Sequence, residues 1–250
     1  MAGQRRHTPL AKVAIDAASC SIHERQRVLG RVPFFQHLDE AALVEVNRAF
    51  RAEDHPADGT ICVEGEPARG LHVVAMGKVK LVRHTLSGQD VLLDILAPGA
   101  FFGSLAAQQG APYPESAQAL TPVCILSIVP PRFRALLLAH PQAALAVADL
   151  LAERLRAANE SIRQLSAHPV EQRLASVLLK LARTLGEPDA RGVLIQVPLS
   201  RKDLADMTGT STETASRILS QFQKQGLVRS GRRWVAVHDP AALERLAQAI

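Results

Sequence analysis

The apolar positions of this chain fall into three successive patterns. From about Val28 to Ile128 they come as short β-type segments punctuated by glycine. Thr60–Glu64, Leu71–Met76, Val79–His84, Val91–Leu96 and Val123–Val129 are the strand candidates, with Gly59, Gly65, Gly70, Gly77, Gly88 and Gly99 at the turns. Strands this short, at near-regular spacing, predict an antiparallel barrel or sandwich rather than alternating βαβ units. Pro130–Ala139 predicts a short helix after them, and Leu10–Ala18 has helical potential before them.

The second pattern is a seam. Within Pro141–Ala167, Ala144, Ala148, Leu151, Leu155, Ala158, Ile162 and Leu165 recur at alternating spacings of four and three. A long helix with so narrow a stripe predicts pairing with a second copy through Leu151, Leu155, Ala158, Ile162 and Leu165. Packing of the same stripe on the barrel is the competing reading. His168–Pro169 then breaks the helix and marks a hinge.

The third pattern lies in Ser200–Gly226. Ser200 with Asp203 has capping-box spacing, Leu204, Ala205 and Met207 form a small apolar side, and Gly209 is the residue type that ends helices. Thr210 is placed to cap a second helix, with Glu213 three positions on. Ala215, Ile218, Leu219 and Phe222 form its buried stripe, which leaves Thr212, Glu213, Ser216, Arg217 and Ser220 on the other face. Two helices joined through a tight glycine turn make a helix-turn-helix, whose second helix presents its first residues to the DNA major groove.

That face has the chemistry of base recognition. Arg donates two hydrogen bonds to guanine, and Glu accepts from cytosine. Glu213 and Arg217, at i and i+4, are equally spaced for a solvated ion pair. The caps and the segment that follows favour the first reading. Leu227–Arg229 and Trp234–Val237 predict a hairpin around Ser230–Gly231, a wing bearing Arg229, Arg232 and Arg233 for phosphate contacts. Arg201 and Lys202, opening the first helix, are further phosphate partners. The predicted interface with double-stranded DNA is therefore Arg201, Lys202, Thr210, Ser211, Thr212, Glu213, Ser216, Arg217 and Arg232.

Composition narrows the rest. An apolar share of 47% supports real cores in a chain of 250 residues, and a net charge of +5 mildly favours a polyanionic partner. No apolar run approaches the ~18 residues of a membrane span, so no membrane partner is expected. Lys12 and Asp16 interrupt any signal-peptide core after Arg5 and Arg6, and Ala17-Ala18-Ser19-Cys20 lacks the apolar stretch of a lipoprotein signal. Three cysteines point to a reducing cytoplasm rather than to a disulfide framework. Hydrolase elbows, P-loops and zinc-protease motifs are missing, which argues against an enzyme.

The order barrel, long helix, winged helix resembles the CRP/FNR family of bacterial transcription regulators over nearly the whole chain. The matching residues are Val63-Glu64-Gly65-Glu66-Pro67-Ala68, Gly77-Lys78-Val79-Lys80, Pro98-Gly99-Ala100-Phe101-Phe102-Gly103 and the helix-turn-helix from Arg201 to Gly226. The resemblance implies an α+β fold with an N-terminal antiparallel β-roll of the cyclic-nucleotide-binding type, a long dimerisation helix and a C-terminal winged helix-turn-helix. The corresponding domains are 1–27 as an extension, 28–140 as the roll, 141–168 as the dimer helix and 169–250 as the DNA-binding domain. It further implies a cytoplasmic homodimer that works with RNA polymerase. Glu213, Ser216 and Arg217 resemble the FNR-type readers of a TTGAT half-site, and Thr212 stands where the cyclic-AMP receptor carries an Arg.

The same comparison frames the signal. Phe102, Gly103, Ser104, Ser116 and Ala117 match the family's effector pocket, but Ser104 replaces the ribose-binding Glu and Glu115 the phosphate-binding Arg. That disfavours cyclic AMP. An iron–sulfur cluster of the FNR type would call on Cys20, His23, Cys62 and Cys124. A haem would call on His72 or His84 as axial ligand. Cys62 and Cys124, in apolar strands, also read as small buried hydrophobes. A roll that senses nothing and only supports dimerisation is the alternative.

Overall fold

In the computed structural model the described residues are 9–10, 20–84, 90–104 and 111–248, and the side chains of residues 90 and 161–167 lie outside that description. Most of the predicted Leu10–Ala18 helix falls outside it as well. The chain forms two compact units, one ending at Ser161 and the other running on from Ile162.

The first unit opens with α1 (Ile22–Leu29), capped by the Ser21 hydroxyl, and α2 (Glu40–Ala49), capped by the Asp39 carboxylate. Eight strands follow: β1 (Arg51–His55), β2 (Thr60–Cys62), β3 (Leu71–Met76), β4 (Val79–His84), β5 (Asp90–Leu96), β6 (Phe101–Gly103), β7 (Ser116–Ala119) and β8 (Val123–Ile128). They pair antiparallel in two four-stranded sheets, β1-β8-β3-β6 and β2-β7-β4-β5. The predicted roll is therefore present, with β1, β6 and β7 added to the expected strands.

Alternation along β3 and β8 sorts their side chains into two cores. Leu71, Val73, Ala75, Cys124, Leu126 and Ile128 face the helices, packing with Phe34, Phe35 and Phe133. Val74, Val123 and Ile125 face the other sheet, packing with Phe102, Tyr113 and Ala117. Strand β3 is buried on both faces, and that is why Leu71–Met76 is apolar apart from the hydrogen-bonded His72.

Two helices close the unit. Helix α3 (Pro130–Ala139) buries Phe133, and α4 (Pro141–Ala167) carries the chain into the second unit. In α4, Ala143 and Val147 pack on the helix-side core of the roll. The predicted seam is on another face: Ala148 and Ala158 are exposed, as are Leu151 (47% accessible) and Leu155 (64%). Leu138 and Leu145 stand out nearby at 71% and 69%. Ile162 and Leu165 lie in α4, and their side chains are outside the described set. No single helix among the described residues is long and apolar enough to cross a membrane; α3 and the first part of α4 reach that length only together, across a 113° bend.

The second unit comprises α5 (Val170–Leu185), β9 (Gly186–Asp189), β10 (Gly192–Ile195), α6 (Arg201–Thr208), α7 (Thr212–Lys224), β11 (Val228–Gly231), β12 (Trp234–Val237) and α8 (Pro240–Ala247). Pro169, half of the predicted hinge, is the N-cap of α5. Leu174, Leu178 and Leu181 of α5 are fully buried, and the helix packs on α6, α7 and α8. The sheet runs β11-β12-β10-β9. Its β9–β10 hairpin is an addition to the predicted wing.

Candidate nucleic-acid interface

The two helices of the motif are set by their ends. At α6, the Ser200 hydroxyl accepts from Asp203 N–H at 3.1 Å and the Asp203 carboxylate accepts from Ser200 N–H at 2.7 Å, the reciprocal box expected. Gly209 closes the helix in the left-handed region, at φ 59° and ψ 48°. Thr210, predicted to cap the next helix, does not. Its N–H is bonded back to the Ala205 carbonyl, so it belongs to the turn, and Ser211 takes the cap by accepting from Thr214 N–H at 3.1 Å. Glu213 therefore sits one position too early to close a box, and its carboxylate stays on the open face.

Helix α7 buries Ala215, Ile218, Leu219 and Phe222, the stripe expected. Thr212, Glu213 and Arg217 are exposed and Ser216 is half-exposed. Among the described residues, neither Glu213 nor Arg217 is held in an ion pair. The face is thus available to an external partner along its first two turns.

The basic residues divide into committed and free ones. Lys202 is paired with Asp206 at 2.6 Å, and Arg229 is paired with Asp189 on β9. Arg201 is half-buried and donates to the Ser230 hydroxyl at 2.9 Å. Arg232 and Arg233 are exposed at the tip of the β11–β12 hairpin, where Gly231 pairs with Trp234 and Arg233 takes φ 61°. The turn is therefore Arg232–Arg233, two residues beyond the predicted Ser230–Gly231. Sequence spacing alone could not separate these classes, because each pairing crosses the fold or depends on a rotamer.

In the roll, the five effector-pocket candidates do not line one open niche. Phe102 and Ala117 are packed in the core between the sheets. Gly103 has φ 88°, and a Cβ there would lie 2.7 Å from the Gly70 carbonyl oxygen and 2.9 Å from the His72 ring. Ser104 N–H donates to that same carbonyl. The Ser116 hydroxyl accepts from Glu64 N–H at 2.9 Å and lies 3.3 Å from His84 Nε2. Burial pushes the neighbouring Glu115 carboxyl up, against the lowering pull of Arg154 and Arg83. A phosphate at this point would meet a carboxylate and a hydroxyl bonded on both sides, so these residues do not fit a cyclic phosphate.

His72 is also spoken for. Its Nδ1 lies 2.8 Å from the Ser127 hydroxyl and its Nε2 lies 2.9 Å from the Tyr113 hydroxyl. Arg69 N–H donates to that Tyr oxygen, so the Tyr proton is free to point at Nε2. Burial lowers the His72 pKa to about 4, with a smaller contribution from His55, and the ring is neutral at pH 7. Neither nitrogen is left for a haem iron.

The four-residue metal set is not assembled. Cys20 and Cys124 are joined to one another in a disulfide, 104 residues apart in sequence. This corrects the expectation of cysteines without a disulfide: Cys62 alone is a free thiol among the described residues. Cys62 lies on the other side of the β3–β8 layer, in the inter-sheet core, and burial pushes its thiol up to about 11. No cluster of three or more His, Cys, Asp or Glu with metal-holding geometry, His23 included, exists among the described residues.

Known proteins share this arrangement. Residues 172–246 match the Crp-like helix-turn-helix domain family, and residues 53–140 match the cyclic nucleotide-binding domain family. The chain is similar to the Cyclic AMP receptor protein of Thermus thermophilus, with 35% identity over 79% of this chain and 88% of that one. It is similar to the CRP-like cAMP-activated global transcriptional regulator of Mycobacterium tuberculosis, with 29% identity over 88% of this chain and 99% of the relative. Its fold is similar to that of a solved CRP-family transcriptional regulator from Thermus thermophilus, with a TM-score of 0.66 and 31% identity over 79% of this chain and 97% of that one.

Proposed function

We propose that this chain, which belongs to the CRP family of bacterial transcription regulators, acts as a homodimer on an inverted repeat of TTGAT-like half-sites. The observation that carries the reading is the open face of α7, where Thr212, Glu213, Ser216 and Arg217 are accessible and neither charge is spent on an ion pair among the described residues. Arg217 reads a guanine and Glu213 a cytosine, while Arg232 on the wing holds a phosphate. The exposed Leu151 and Leu155 of α4 supply the face for a second copy. A two-fold pair would place its recognition helices about one DNA turn apart, which asks for a palindrome. RNA polymerase is the partner through which a regulator so placed would act.

Two of the relatives described above carry cyclic AMP in their names, yet we do not carry that ligand over. Glu115 and the engaged Ser116 are unsuited to a cyclic phosphate. Among redox, gas and small-ligand signals, the Cys20–Cys124 bond favours redox, since it ties the segment before α1 to β8 in the roll. A dithiol reductant would open it by two-electron exchange, leaving two thiols here and a disulfide on the reductant. The second reading, a roll that only supports dimerisation, draws on the filled bonding of His72 and Ser116.

One experiment separates these. Wild-type protein selects duplexes from a random pool with and without dithiothreitol, and with cyclic AMP added. Inverted TTGAT repeats bound more tightly in one redox state support the proposal. Unrelated or unrepeated sequences refute the site, and equal binding in every condition supports the non-sensing roll.

A further inference from the structure

We infer that Arg201 is a positioning residue that sets the wing against the recognition helix, rather than a phosphate contact. The inference rests on the DNA-binding reading of α7 and the wing. Its physical basis is the number of ties that meet at one residue. Ser230, in β11, receives Arg201 from α6 at its hydroxyl, at 2.9 Å, and Gln223 from α7 at its carbonyl, at 3.1 Å. Three residues further on, the Arg233 carbonyl accepts from Leu199 N–H at 3.0 Å, just ahead of the α6 cap. Two of these bonds end on backbone carbonyls, and only Arg201–Ser230 is side chain to side chain.

Arg201 is the first residue of α6, whose direction is fixed by the Ser200–Asp203 box. A half-buried guanidinium at that place joins the first helix of the motif to the β-strand that leads into Arg232. Its removal loosens the tip of the hairpin, beyond the β12–β10 ladder that anchors its base. Arg232 and Arg233, exposed at the tip, would then meet phosphates in a spread of positions, and binding would weaken.

The test uses the full-length protein and a duplex that the wild type itself selects from a random pool. Arg201→Lys keeps the charge but loses the fork, and Ser230→Ala removes the acceptor without touching any charge. Each should weaken binding about three- to tenfold, the size expected of one lost hydrogen bond. The double variant should be no weaker than either single one. The salt dependence should stay as in wild type because the tip arginines still meet phosphates, melting temperatures should be unchanged, and hydroxyl-radical protection under the wing should blur rather than vanish as in Arg232→Ala.

Wild-type binding by Arg201→Lys, with Arg201→Met lowering the salt slope by about one, would make Arg201 a phosphate contact and overturn the inference. A fall in melting temperature that tracks the affinity loss would make the bond mere fold support and overturn it too. Silent variants throughout have the same consequence. A wild type that selects no duplex refutes the DNA-binding reading on its own, before any variant is measured.

Discussion

His72 and Tyr113 are bonded side chain to side chain inside the roll, 2.9 Å from ring Nε2 to hydroxyl, with the His72 ring stacked on Phe102 at 5.1 Å between centroids. The pair keeps a titratable ring neutral in a dry place. Unfolding returns His72 to its ordinary pKa near 6.5, whereas the folded value is about 4. The unfolded chain then binds more protons between those values, so stability is intact above pH 6.5 and falls as pH drops toward 4. The full loss from this one group is about 3 kcal/mol. Urea unfolding from pH 7 to 4 should show a steeper decline in wild type than in His72→Gln, and parallel declines would refute the assignment.

Arg217→Ala should cost about 1–3 kcal/mol on the selected duplex and far less on scrambled DNA, because a bidentate base contact discriminates by that amount. Glu213→Ala should relax preference at a different position of the half-site. Quantitative band-shift assays on single-base variants check both. Equal losses on selected and scrambled DNA would mean that Arg217 touches only the backbone.

Arg232→Ala should behave oppositely. A lost phosphate contact weakens binding to all sequences about equally and lowers the salt slope by about one. Titrations at several salt concentrations read this directly. Arg229→Ala should leave the slope nearly unchanged, since that guanidinium is already paired with Asp189.

Leu151→Asp combined with Leu155→Asp should convert a dimer into monomers in sedimentation equilibrium, and should abolish tight binding to an inverted repeat while half-site binding survives. Both side chains are solvent-exposed within one protomer, so its own core does not depend on them. Unchanged sedimentation would place the two-fold contact elsewhere.

Cys20→Ser should lower stability by about 2–4 kcal/mol under oxidising conditions, the usual worth of a disulfide closing a long loop. The loop here spans 104 residues. Excess dithiothreitol should bring wild type down to the level of the variant. A difference that persists in reductant would show that the serine itself, and not the lost bond, is responsible.

Local chemistry was legible in the chain and long-range pairing was not. The Ser200 box, the Gly209 stop, the α7 stripe, Pro130–Ala139 and the span of α4 each depend on neighbours within a few residues, and the structure has each where the pattern predicts it. Strand β1, Arg-Ala-Glu-Asp-His, has no apolar alternation because it is an edge strand exposed along most of its length; only its register with β8 makes it a strand. The β9–β10 hairpin hides behind Pro188 in the same way. The cap at Ser211 rather than Thr210 turned on which N–H the preceding helix end had already claimed. Arg201 and Arg232 look alike in sequence, and only the placement of Ser230 tells them apart. The Cys20–Cys124 bond joins residues whose closeness depends on the whole roll.

That bond has a topological effect as well. Everything from Cys20 to Cys124 is one covalent ring, containing α1, α2, seven of the eight strands of the roll and the start of the last. A protease that cuts the backbone once anywhere within the ring therefore produces no separate fragments. The nicked protein runs as a single species until a reductant is added, and then falls into two pieces whose sizes report where the cut was made.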